Sequence, residues 1–319
     1  MGFWNAILQG IIQGLTEFLP VSSSGHVSIY QHIAGISGDG SQSFTLLLHF
    51  GTLIAVFVVY RELIWNLILE FFSMVKDLVK GKFLWKLKDM NQNRTMVIMV
   101  FVASAWAVLL FVPMFGFLEL NTADGEAVKN MADLSTYFSE DAGIMAEGIF
   151  LLMTGALLLY ATRLSKLRDG KPYLTYRNAT AMGISQCFAA MPGLSRSGTT
   201  TTMGMISGVE KNTALNFSFI MSIPAILAAN VVDLKDIGEM GMNFTAVEAI
   251  FGIIVAGVVG VLAIGGLKWI VKNNKLDYFG YYCLAAGLIV VVIGIVEHST
   301  GSNIFTKAAL ENVSVGVIG

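Results

Sequence analysis

Long apolar runs interrupted by short polar segments cover most of the 319-residue chain. Six of them, near 44–60, 95–115, 145–162, 214–231, 247–270 and 278–296, are continuous enough to cross a bilayer as helices, which takes about 20 residues. Two others, 3–34 and 179–208, are apolar but repeatedly broken by polar side chains, Pro and Gly, so they do not read as simple spans. Segment 61–90 sets Trp65, Phe71, Phe72 and Trp85 among lysines, the pattern of an amphipathic helix lying on a membrane surface.

Composition agrees with the run lengths. The chain is 55% hydrophobic and 13% charged, about half the charge of a soluble domain, with a mean hydropathy of +0.69. The expected fold is an all-α polytopic membrane protein, with residues 1–319 forming a single integral membrane domain. A net charge of −2 excludes a basic nucleic-acid-binding surface. Cys187 and Cys283 have no metal-ligand spacing. The first basic residue is Arg61, so no cleavable signal peptide is expected.

The cations are unevenly placed. Fifteen of the 20 Lys and Arg residues fall in 61–94, 163–178 and 268–277, and only Lys129, Lys235 and Lys307 fall in the opposite set of connections. The positive-inside rule puts the first set in the cytoplasm and both termini outside. The acidic segment 116–144 then becomes an external connector.

Comparison of the chain with itself gives one register, an offset of 173 residues. Positions 6–55 and 179–228 align without a gap, with 11 of 50 identical, against roughly four from composition. The identities include Gly10/Gly183, Gln13/Gln186, Ser22/Ser195, Ser24/Ser197 and Gly25/Gly198. Three crossings separate equivalent points, so the copies should have opposite orientation, an inverted-topology repeat. Each broken stretch begins and ends on one side and is expected to be a re-entrant helical hairpin. Irregular backbone at membrane depth is tolerated only inside protein or beside a wet cavity, so the two tips should meet.

The tips carry the candidate chemistry. In the first, Gln13 and Glu17 share a helix face four residues apart. Pro20 ends that helix, and Ser22, Ser23 and Ser24 are good caps for the next. The second, from Pro192 to Thr200, repeats the design with Arg196 added. Helix N-termini with hydroxyls attract phosphate, and arginine can grip its oxygens through two bonds. The copies differ where the chemistry is distinctive: Glu17 faces Ala190 in the alignment, Ser23 faces Arg196, and His26 faces Thr199. A carboxylate, a hydroxyl, an imidazole and a guanidinium suit phosphoryl transfer. Structural alternatives exist: an interfacial charge for Glu17, a salt bridge to Glu17 for Arg196, and capping or packing for the serines. His49, within a span, reads as a helix–helix hydrogen-bonding residue. The glycines of 252–266 read as small-residue packing.

The run from Gln13 to His26 resembles the (E/Q)xxxE and SS(S/T)GH motifs of the undecaprenyl-diphosphate phosphatase family, the bacitracin-resistance type. Pro192 to Thr200 resembles that family's PGxSRSxxT signature. The resemblance implies hydrolysis of undecaprenyl diphosphate to undecaprenyl phosphate and inorganic phosphate, recycling the lipid carrier of the bacterial cell wall. It implies a plasma-membrane location, a site open to the extracytoplasmic face and a divalent cation, Mg2+ or Ca2+. Carried over by position, Ser23 is the favoured nucleophile and His26 its base or proton shuttle. Glu17 holds the metal or polarises the site, assisted by Gln13, and Arg196 clamps phosphate. Gln13, Ser22, Ser24, Ser195, Ser197 and Thr200 bind the substrate. Gln13 departs from the glutamate of many members and is a weaker ligand. The expected partners are a polyprenyl diphosphate lipid and membrane lipids, with no nucleic acid; a homodimer is compatible with the sequence. The alternatives are a transporter or flippase of a prenyl phosphate or other anion, and a phosphatase for another prenyl or diacylglycerol diphosphate.

Overall fold

The computed structural model describes residues 2–36, 39–83, 89–113, 127–140, 143–236 and 244–308. Most of the acidic segment (Glu119, Asp124, Glu126, Asp141), Trp85 and residues 309–319 lie outside that set. Twelve α-helices occupy the described residues: α1 Phe3–Phe18, α2 Ser23–Ala34, α3 Asp39–Val59, α4 Arg61–Val79, α5 Gln92–Ala105, α6 Met131–Glu140, α7 Gly143–Leu167, α8 Tyr176–Phe188, α9 Arg196–Ile206, α10 Lys211–Asp236, α11 Ala246–Lys272 and α12 Asp277–Thr300. Among them there is no strand; Lys171 and Val209 form an isolated bridge.

Among the described residues, four helices are long and apolar enough to cross a membrane by themselves: α5 with its 3-10 extension to Leu110, α7, α11 and α12. Helices α3 and α4 form a further candidate, bent by 84°. The chain is a multi-pass membrane protein. Its outward surface is apolar, with Ile54, Phe101, Ile254, Leu262, Leu288 and Ile295 all exposed, as a protein solvated by lipid tails requires. Helix α10 covers the fourth apolar stretch, 214–231. It contains Pro224 and buries Ser218 and Ser222 on the side that meets the hairpin tips. Beyond the bend at Tyr60, α4 exposes Trp65, Leu69 and Phe72. Arg94 anchors α4 to α5, bonding Glu70 at 2.6 Å and Asp77 at 2.8 Å.

Small residues set the packing. A Cβ on Gly14 of α1 would lie 2.6 Å from the Ala256 carbonyl oxygen of α11. On Gly155 of α7 it would lie 2.8 Å from the Gly280 oxygen of α12. Without the glycines these backbones could not approach so closely, and in lipid such contact is the main force holding helices together. The 252–266 glycines act in this way at Gly252 and Gly260, whose α-carbons face Phe44 and Phe18.

Both broken stretches fold back on themselves. At the open end of the first, Tyr30 donates to Asn5 at 2.8 Å and Gln31 to Gln9 at 2.8 Å. At the open end of the second, Asn178 donates to the Ser207 carbonyl at 3.0 Å. The basic segments gather near this second opening: Lys166 pairs with Asp277 at 3.2 Å, and Lys211 bonds Asn274 at 2.8 Å. Lys268 sits 4.0 Å over the Tyr60 ring. A cavity of about 830 Å3 lies at this end, lined by Met90, Gln92, Thr95, Tyr173 and Thr213 among others, and it includes no tip residue.

The two tips touch. A Cβ on Gly25 would stand 3.1 Å from the Gly193 α-carbon, and one on Gly198 would stand 3.2 Å from Pro20 Cβ. An offset of 173 residues converts one contact into the other. Supporting bonds match in the same way: Thr154 of α7 donates to the Gly193 carbonyl at 3.3 Å, and Cys283 of α12 to the Pro20 carbonyl at 3.6 Å.

Candidate active site

Local sequence brings each functional side chain to the seam. Leu19 precedes Pro20 and is held extended, with φ −66° and ψ 141°, which ends α1 one residue after Phe18. That leaves Glu17 in the last turn of α1, facing the start of α2. Ser22 caps α2 by accepting from the Gly25 amide at 3.3 Å, and Ser195 caps α9 by accepting from the Gly198 amide at 3.1 Å. The caps leave the first amides of both helices without intrahelical acceptors. Ser22 adopts φ 71°, whereas its counterpart Ser195 has φ −62°. A non-glycine residue in the left-handed region is strained, so the two tips differ in backbone as well as in side chains.

Glu17, only 5% exposed, is the hub. Its Oε2 accepts from Ser23 Oγ at 2.6 Å and from Gln13 Nε2 at 2.9 Å. Its Oε1 accepts from Arg196 Nη2, joining the two hairpins by an ion pair. His49 Nε2 stands 3.7 Å from Oε2. Two buried polar atoms at this hub have no partner, Gln13 Oε1 and Arg196 Nη1. A narrow recess beside them is lined by Glu17, Phe18, Arg196, Ser197, Ser218, Phe219 and Ser222.

The remaining candidates are distributed differently from the sequence expectation. His26 is turned away from Ser23: its Nδ1 donates to the Ser22 carbonyl at 2.7 Å, and its Nε2 meets the Tyr282 hydroxyl at 2.7 Å. A carbonyl can only accept, so Nδ1 carries the proton and Tyr282 donates to Nε2 in the neutral ring. The group bonded to the Ser23 hydroxyl is therefore Glu17. Ser24 lies 3.3 Å from Ser22 Oγ. Ser197 donates to the Leu19 carbonyl at 3.2 Å, crossing between the tips. Thr200 is fully buried and bonded to Ser218 at 2.6 Å. Capping and packing thus account for the bonds of Ser22, Ser195 and Thr200 in this conformation.

Sequence reasoning missed three residues here. Tyr282 and Ser218 gave no signal in their own segments. His49 did: it aligns with Ser222, one more position where the copies differ in chemistry. Its Nδ1 donates within α3 to the Thr45 carbonyl at 2.9 Å. Its other nitrogen faces the hub, 3.7 Å from Glu17 of the neighbouring helix α1.

A buried carboxylate bonded to a serine hydroxyl and paired with an arginine thus lies at the junction of two broken helices of a multi-pass membrane protein. The profile of the family described as bacitracin resistance protein BacA matches residues 6–289, and the chain belongs to that family. Among its relatives, a protein of Alkaliphilus metalliredigens named undecaprenyl-diphosphatase is 38% identical over 296 residues, 92% of this chain and 100% of that protein. Proteins with the same name from Methanobrevibacter smithii and Methanosphaera stadtmanae are 35% and 32% identical, covering 93% and 92% of this chain and 99% and 98% of their own lengths.

Proposed function

We propose that this chain is an undecaprenyl-diphosphatase, releasing inorganic phosphate from undecaprenyl diphosphate and leaving undecaprenyl phosphate. The observation that carries the reading is the hydrogen bond from Ser23 to Glu17, on a carboxylate that Arg196 neutralises from the other hairpin. Family membership and the names of full-length relatives support it.

The geometry suggests the division of labour. In the resting arrangement Arg196 and Glu17 compensate each other inside the membrane, where an unpaired charge is costly. Arg196 keeps Nη1 free and shifts its planar fork to the terminal phosphate when the diphosphate arrives. Ser23 Oγ then attacks the terminal phosphorus as Glu17 takes its proton. The bond from phosphorus to the bridging oxygen breaks, and Glu17 returns the proton to the departing undecaprenyl phosphate. Water attacks the phosphoserine next, giving its proton to Glu17, which restores it to Ser23 as phosphate leaves. The amides opening α2 and α9 offset the charge of the phosphate oxygens. His26, held by Ser22 and Tyr282, fixes the turn that presents Ser23.

The donor set suits a hard divalent cation such as Mg2+ or Ca2+. Glu17, the unpartnered Gln13 Oε1 and Ser23 Oγ are all oxygens, and such ions take carboxylates together with substrate phosphates. Among the described residues no group of three or more His, Cys, Asp and Glu side chains could hold a metal unaided, so the diphosphate oxygens would complete its coordination. Bound there, it would offset the charge on the phosphate oxygens.

The 173-residue offset that interchanges the tip contacts supports an inverted repeat of 6–55 and 179–228, with hairpins entering from opposite faces. The gathered cations support a cytoplasmic location for the α8–α9 opening and an extracytoplasmic one for the α1–α2 opening, in the bacterial plasma membrane. A transporter of the same lipid would need no hydroxyl poised on a carboxylate. The test is phosphate release from undecaprenyl diphosphate by purified protein in detergent. Wild type should release phosphate, while added chelator or Ser23→Ala should cut the rate at least about 100-fold; transport without phosphate release would refute the reading.

A further inference from the structure

We infer that His49 is a ligand of the divalent ion, a nitrogen donor that complements Gln13 at a site with a single carboxylate. The inference rests on the phosphatase reading for the ion's presence and concerns only how this chain holds it. Three observations converge. His49 Nε2 lies 3.7 Å from Glu17 Oε2, too far for a hydrogen bond and suited to two donors flanking one ion at about 2.1 Å each. His49 Nδ1 is committed to the Thr45 carbonyl at 2.9 Å. That outward N–H···O=C bond fixes the tautomer with the Nε2 lone pair facing the carboxylate, the orientation that second-shell bonds give metal-bound histidines. Gln13, itself fully buried, leaves Oε1 without a partner beside the same carboxylate, a third donor on the adjacent turn of α1.

The ligand set has a consequence for the metal. Oxygen-only sites suit Mg2+ and Ca2+, whereas imidazole favours first-row transition ions. One imidazole with one carboxylate and one amide oxygen fits Mn2+, which accepts both donor types. His49 therefore biases the site toward Mn2+ without excluding Mg2+, whose ligands would be the oxygens alone.

The experiment is titration of the purified full-length protein with MnCl2, followed by electron paramagnetic resonance, with electron spin-echo modulation reporting nitrogen nuclei bonded to the ion. Wild type should show imidazole nitrogen modulation. His49→Gln should lose it and bind Mn2+ about ten-fold or more weakly, with Mg2+ affinity unchanged, which also shows that the variant is folded. His26→Gln should keep the modulation. Nitrogen modulation persisting in His49→Gln, its absence from Mn2+-loaded wild type, or Mn2+ binding as tightly or more tightly in the variant would each overturn the assignment; the last outcome would make His49 only an ion-pair partner of Glu17. Phosphate release with Mg2+ on the same samples separates this failure from failure of the phosphatase reading.

Discussion

Separating the two charges of the hub by mutation should have unequal costs. The Glu17 side chain is 3% exposed and that of Arg196 is 23% exposed. Arg196→Met strands a carboxylate that cannot reach water and keeps only Gln13, Ser23 and His49 around it. Breaking a buried pair in this way costs about 3–5 kcal/mol, and the remaining bonds to Glu17 place the expected loss near 3 kcal/mol. Glu17→Gln leaves a guanidinium that is already partly exposed on a flexible stem and can turn toward solvent, so about 1 kcal/mol is expected, the scale of one hydrogen bond. The double variant removes the stranded charge, and its loss should fall near that of Glu17→Gln alone. The implied coupling is about 3 kcal/mol, well above the error of a double-mutant cycle. Unfolding of all four proteins in one detergent, followed by tryptophan fluorescence, measures it. If Arg196→Met were no less stable than Glu17→Gln, or if the two losses simply added, the ion pair would not be the latch between the hairpins.

Three further outcomes follow from the same geometry. Arg196→Lys should lower kcat/KM for undecaprenyl diphosphate about 100-fold, because a point charge cannot replace a two-pronged grip; wild-type-like turnover of the purified variant would remove the clamp role. Gly14→Ala puts a methyl group 2.6 Å from the Ala256 oxygen and 2.9 Å from Val259 Cβ. It should cost about 1–3 kcal/mol, while Gly265→Ala, with nothing within 4 Å, should be neutral in the same thermal melts. Tyr282→Phe removes the donor to His26 Nε2 but leaves Nδ1 on the Ser22 carbonyl, so phosphate release should fall less than ten-fold; a loss as large as that of Ser23→Ala would mean His26 has a more direct part.

Much of this architecture is legible in the chain. Run lengths locate the helices, and the Pro20 and Pro192-Gly193 breaks locate the hairpin turns. The self-match at one offset draws attention to Glu17, Ser23 and Arg196 because they interrupt it. What the chain does not show is which of several plausible neighbours each side chain chooses. His26 follows Ser23 by three residues, and the family resemblance implied a base for its hydroxyl; the ring is instead held by the Ser22 carbonyl and by Tyr282, 256 positions away. Ser23 bonds to a carboxylate on the preceding helix because Ser22, at φ 71°, redirects the turn. His49 escapes the sequence reading for a related reason: its value depends on α1 and α3 packing side by side, and that depends on small residues along α1, α3 and α11, Gly51 among them, rather than on position 49 itself.

The abutment of Gly25 on Gly193 and of Pro20 on Gly198 ties the two halves together in evolution as well as in space. A Cβ at Gly25 would stand 3.1 Å from the Gly193 α-carbon, and one at Gly198 would stand 3.2 Å from Pro20 Cβ. A side chain gained on one turn therefore needs room conceded by the other. Substitutions at these four positions should be tolerated in matched pairs where neither is tolerated alone.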